Sequence, residues 1–189
     1  MAEGLFEKAK DSVVGVVKGA GDIVGAVRET VTDLVKGALN SAGDIAGAAV
    51  GVVTDTVKGA LRGTREAGTE VADSAKAVVS GAVEAVAAVG GNVIDAVRHS
   101  VRAAIQSASE VGGDVTGTAV GAVEGAIDAA KRVGGNVTDV ATSAVEGALD
   151  AAGEISKDAA DATKKGLSAA VSLPADVVKS VIGSRDDKK

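Results

Sequence analysis

Residues 93–167 read VIDAVRHSVRAAIQSASEVGGDVTGTAVGAVEGAIDAAKRVGGNVTDVATSAVEGALDAAGEISKDAADATKKGL. Small and apolar residues recur through this stretch in steps of four, four and three. They are Val93, Val97 and Val101, then Ala104, Ala108 and Gly112, then Val115, Ala119 and Val123. Ala126, Ala130 and Gly134 follow, then Val137, Ala141 and Val145. Eleven residues over three turns is about 3.67 per turn, close to the α-helical 3.6, so a stripe with this spacing stays on one helix face.

Outward from that stretch the phase holds. Stepping by eleven from Leu5 meets Val16, Val27, Ala38, Ala49, Ala60, Val71, Ala82 and Val93, and continues apolar to Ala170. Flanking series widen the face, one through Ile94, Ile105, Ile127 and Leu149, another through Ile23, Leu34, Ile45 and Val78. Opposite lies a charged strip. Asp11, Asp22, Asp33, Asp44, Asp55 and Glu66 are spaced by eleven, and Asp33 with Lys36, Asp55 with Lys58 and Asp128 with Arg132 sit at pairing distance along a helix. Such pairs stabilise a helix by only about 0.2–0.5 kcal/mol each, so the strip reads as a solvated face. His99, the single histidine, falls on it and is expected to be exposed.

A longer repeat overlies the elevens between residues 69 and 156. Gly91-Asn92-Val93, Gly113-Asp114-Val115 and Gly135-Asn136-Val137 are 22 residues apart, and Gly121–Asp128 recurs as Ser143–Asp150. Because turns would ordinarily add residues and break an eleven-residue phase, the expectation is one very long all-α hendecad helix. It would form a straight or right-handed parallel coiled coil. The alternative is an antiparallel helical bundle turning at the Gly-Gly pairs 90–91, 112–113 and 134–135.

The expected organisation is a tip at 1–4, a continuous helix at 5–171, a break at 172–174 around Pro174, and a short helix with a charged tail at 175–189. The expected oligomer core is Val93, Val97, Val101, Ala104, Ile105, Ala108, Val115, Ala119, Val123, Ala126, Ile127, Val137, Val145 and Leu149. Gly113, Gly117, Gly121 and Gly125 form a four-step ridge across the charged face, suited to lateral packing because glycine lets backbones approach closely. With 26 glycines, each less favourable than alanine in a helix by about 0.8–1 kcal/mol, a lone helix is weak. The chain is expected to order only when something covers its apolar face.

Composition narrows function. There is one Phe, no Tyr, no Trp and no Cys, and the net charge is −6. Acidity without aromatic side chains argues against nucleic acid. The start of the chain lacks a basic region followed by an apolar run, so no secretory signal is recognised. The most apolar window, Ala77–Ile94, carries Glu84 and is not read as a membrane span. The location expected by default is cytoplasmic. No residue set has the convergent geometry of a catalytic or metal site, so no enzyme and no cofactor are expected.

In period and in Val/Ala/Gly/Thr texture the chain resembles prokaryotic hendecad-repeat coiled-coil proteins. More loosely it resembles the synucleins and the group 3 late-embryogenesis-abundant proteins. The synuclein core motif is replaced here by Ala-Val-Glu-Gly-Ala at 122–126 and 144–148. The first accords with what the hendecad stripe itself predicts, a self-associating rod, spacer or filament protomer, and the wide Ala- and Gly-rich face predicts a homo-oligomer of more than two strands, a parallel tetramer. The second implies an amphipathic helix that folds on a lipid surface or under stress.

Overall fold

The apolar stripe is covered by the chain itself. The structure, a computed structural model, describes residues 2–19 and 21–186, and the side chains of residues 4–19 and 21–185. Met1, Ala20 and the last part of the expected tail, 187–189, lie outside the described residues. Among the described residues the chain forms nine helices: α1 (Ala2–Gly19), α2 (Ile23–Ser41), α3 (Ile45–Glu66), α4 (Val71–Ala88), α5 (Val93–Glu110), α6 (Val115–Val133), α7 (Val137–Ile155), α8 (Lys157–Ala169) and α9 (Ala175–Asp186). The expected continuous helix over 5–171, and with it the long hendecad coiled coil and filament, is thereby overturned: the molecule is a stack of short helices.

The physical reason lies in the turns. α4 and α5 are each 18 residues long, and the four-residue connections 89–92 and 111–114 complete a unit of 22. Two hendecads are also 22 residues. A helix plus its turn therefore fits inside the eleven-residue phase without disturbing it. Gly68, Gly90, Gly112 and Gly134 all have positive φ, between 66° and 87°, a conformation that costs other residues more. They close Schellman motifs. Gly90 N–H donates to the Ala87 carbonyl at 3.0 Å and Gly91 N–H to that of Val86 at 2.9 Å. The Gly112-Gly113 pair does the same with Ser109 and Ala108 at 3.2 and 2.8 Å.

The next residue but one starts the following helix. Asn92 accepts from the N–H groups of Ile94 and Asp95, Asp114 from Gly117, and Asn136 from Thr138 and Asp139. Each satisfies donors that the first helical turn leaves unpaired. The earlier reversals are different. Asp22 caps α2 through Gly25 N–H, and the connection 42–44 contains no left-handed residue.

Short turns reverse the chain, so consecutive helices run antiparallel and each helix is parallel to its second neighbour. Among the described residues, contacts between helices run only between first and second neighbours in the chain, the most extensive being α4 with α6, α1 with α3 and α2 with α4. The helices thus form two layers, odd and even, in an elongating stack of helix pairs. The interface between the layers is a core of Val and Ala with a few Leu and Ile, including Val35, Leu39, Leu61, Val78, Val101, Ile105 and Val145. No described helix is long and apolar enough to cross a membrane.

A candidate interaction surface on helix α3

The residues expected to face partner strands instead face other helices of the same chain. Val97, Val101, Ala104, Ile105, Ala108, Ala119, Val123, Ala126, Ile127, Val145 and Leu149 are buried in the intramolecular core. Val93, Val115 and Val137 open their helices and are half-buried. One stripe serves both descriptions, because a core needs the same periodicity whichever chain supplies the cover.

The glycine ridge is divided in the same way. Gly113 belongs to the turn before α6, while Gly117, Gly121 and Gly125 lie on α6 itself against α4. A Cβ at Gly125 would stand 2.3 Å from the Lys76 carbonyl oxygen, and one at Gly121 would stand 3.0 Å from that of Ala72. The ridge is a seat for α4. Gly59 and Gly63 seat α1 on α3 in the same manner, against the carbonyls of Phe6 and Lys10, and Gly81 meets the Arg28 carbonyl.

The charged strip also joins helices. Instead of pairing with its helical neighbour Asp55, the Lys58 ammonium reaches Glu110 on α5 at 3.0 Å. Lys76 on α4 meets Asp128 and Glu124 on α6 at 3.0 and 3.5 Å. The hydrogen bond to Asp128, outweighing desolvation, raises the Lys76 ammonium above the ordinary lysine value. Arg132 pairs with Glu84, not with Asp128, and donates to Ser80 Oγ at 2.9 Å. Arg98 meets Glu146 at 2.9 Å across α5 and α7, and Arg102 reaches Glu154. These partners lie 48 or 52 residues apart, which is a helix pair of 44 plus one or two further turns.

Cover is incomplete at several places: Val24 in α2 and Val171 ahead of α9 are 56% and 100% exposed, and the first half of α3 is open as well. Between Asp44 and Asp55 runs IAGAAVGVVT, ten residues without a charge, and this run forms the first half of α3. None of its side chains is buried before Val53, and Val50 remains 42% exposed. The second half, by contrast, buries Thr56, Val57, Ala60 and Leu61.

A cleft flanks the uncovered half on each side. The first, about 350 Å³, separates α3 from the turn into α5 and is lined by Ile45, Ala49, Val50, Val53, Asp95 and His99, among others. His99 is half-buried in its wall, not free on the surface as expected. The second, about 440 Å³, lies between α3, the end of α2 and the start of α1. Its lining includes Leu5, Ala38, Gly47, Gly51, Val52 and Asp55. Burial pushes the Asp55 carboxyl above its ordinary value, with Lys58 opposing.

One 22-residue glycine series breaks in α5. The glycines that seat a parallel neighbour in α3, α4, α6 and α7 are Gly59, Gly81, Gly125 and Gly147, and all fit one 22-residue series. The member of that series in α5 is Ala103, which is buried.

Sequence reasoning named neither cleft. Asp55 stood in the acidic row like its neighbours, and Gly47 and Gly51 resembled other glycines. The uncharged run 45–54 gave no distinguishing signal, because 85–94 and, within α6, 115–123 are uncharged too.

No protein-family model and no curated protein matches the chain. Among solved structures it is similar to the crystal structure of a de novo designed helical repeat protein. The two are 16% identical, the match covers 81% of this chain and 97% of the other, and the TM-score is 0.43.

Proposed function

We propose that this chain is a non-catalytic interaction scaffold: a helical-repeat stack whose first half of α3 is the docking surface for a partner protein. The observation that carries the reading is the uncovered, uncharged run 45–52 between two apolar clefts. Apolar patches that a fold leaves open commonly mark interaction sites. Repeat stacks present extended surfaces of this kind. The stripe that a lipid-surface helix would offer is spent on the internal core, and self-association through that stripe would require the stack to open.

The test is photo-crosslinking in cells producing the full chain. A photoreactive residue is placed at Val50 or, as a control, at the exposed Asp139 on α7. The expected result is a discrete crosslinked partner from position 50 and none from 139. Identical patterns from both positions, or no adduct from position 50, would overturn the assignment.

A further inference from the structure

His99 stands at a place that the repeat elsewhere gives to small residues. In the 22-residue series through it, α4 has Ala77, α6 has Gly121 and α7 has Ser143. Gly121 packs against α4, where a Cβ would stand 3.0 Å from the Ala72 carbonyl oxygen. Ser143 donates to the Ile94 carbonyl of α5 at 3.5 Å. The residue of α3 in register with Ala72 and Ile94 is Val50. Between Val50 and His99, where the other two pairs are in contact, the first cleft opens instead. A position that departs from the rule of its own repeat is where a site is to be sought.

The two walls of this cleft differ in chemistry. Ile45, Val50 and Val53 make the α3 wall apolar. On the α5 wall, Asp95 and His99 are four residues apart and share one helix face. Neither side chain has a hydrogen bond or an ion pair among the described residues. Arg98, between them in sequence, is held by Glu146 at 2.9 Å, and neither Lys nor Arg lines the cleft. A carboxylate only accepts hydrogen bonds, so a ligand that meets Asp95 must donate. The volume, about 350 Å³, is that of a small-molecule pocket. We infer that the first cleft binds a small primary amine in its ammonium form. Its apolar body lies against α3, and its N–H groups donate to the Asp95 carboxylate and to a ring nitrogen of His99. Such binding needs no partner on the outer face of α3.

The probe is 2-phenylethylamine, with 3-phenylpropanoate as its anionic counterpart, each titrated at fixed pH into the full chain without a purification tag. His99 is the only histidine, so its ring Hε1 proton gives a single NMR signal that reports on the cleft. The amine is expected to shift that signal saturably, with a Kd of about a millimolar or below, and the propanoate to bind at least about tenfold more weakly. Asp95→Asn is expected to erase the difference. Ala49→Phe, which fills the cleft from the α3 wall, is expected to abolish the shift by either probe while leaving the helical circular dichroism unchanged. Asp95 is exposed, so its substitution tests the site even where Ala49→Phe disturbs the fold.

No saturable shift at about 10 mM amine, equal affinity for the two probes, or a preference that survives Asp95→Asn would overturn the inference. Saturation that a folded Ala49→Phe chain retains would place the amine elsewhere and overturn it as well.

Discussion

Glycine in this chain does opposite things at positions that look alike. Gly125 lies under the Lys76 carbonyl, and a methyl group there would stand 2.3 Å from the oxygen. Gly125→Ala is therefore expected to destabilise the fold by about 1–3 kcal/mol through overpacking. Gly37, in the interior of α2, meets nothing within 4 Å. Gly37→Ala should stabilise by about 0.8–1 kcal/mol, the helix-propensity difference. Urea denaturation of the two variants checks both signs.

Thr118 offers a third case. Its hydroxyl is buried with no hydrogen-bond partner, so Thr118→Val should raise stability by about 1 kcal/mol in the same assay. Titration adds a fourth. The Lys76 pKa is raised in the folded state above 10.5. Its contribution is thus fully present below 10.5 and is lost as pH climbs through the higher folded value. The fall in melting temperature above that pH should be shallower in Lys76→Gln than in the parent chain. Which residues point inward was legible at this scale, since Val97, Val101, Ile105 and Val145 are core by periodicity and core in fact. Which glycine seats a helix was not, because Gly37 and Gly125 differ only in what crosses over them.

At the scale of the helix, the turn carries the fold. Gly90 at φ 74° closes α4 and Asn92 opens α5 two residues later. Removing the cap with Asn92→Ala should lower stability by about 1 kcal/mol, and thermal melts followed by circular dichroism should show an effect of that size. The motif was visible as a 22-residue repeat of Gly-Asn-Val and Gly-Asp-Val. It supports the antiparallel bundle with Gly-Gly turns, which ranks second to the long helix because a turn ordinarily disturbs the phase. An 18-residue helix with a four-residue turn does not disturb it, so the periodicity is indifferent between one long helix and many short ones. What distinguishes them is the left-handed glycine followed by a cap, a local chemical signal that outweighs the long-range pattern.

Through α4–α7 the molecule repeats as helix pairs of 44 residues, in which each helix rests on its second neighbour. Excising residues 93–136 removes one pair and joins Asn92 directly to Val137, the same cap-to-helix junction that Asn136 makes now. The shortened chain is expected to keep native-like helicity and a single unfolding transition. Excising 93–114 alone should be more damaging, because it moves every later helix into the opposite layer and takes Lys76 from Glu124 and Asp128, and Glu84 from Arg132. Comparing the urea midpoints of the two deletions tests this: equal loss would contradict the two-layer stack.

The sequence alone determined the helical class, the inward face and the 22-residue beat, because each follows from spacing along the chain. Tertiary structure decided that the stripe is covered from within. Whether a helix continues or reverses depends on φ at Gly90, Gly112 and Gly134. Whether the reversed helices then meet depends on backbone approach at Gly59, Gly81 and Gly125. The same contacts left the first half of α3 uncovered. Spacing records which residues share a face, but the cover of that face is a relation between residues on different helices, and only the folded chain brings them together.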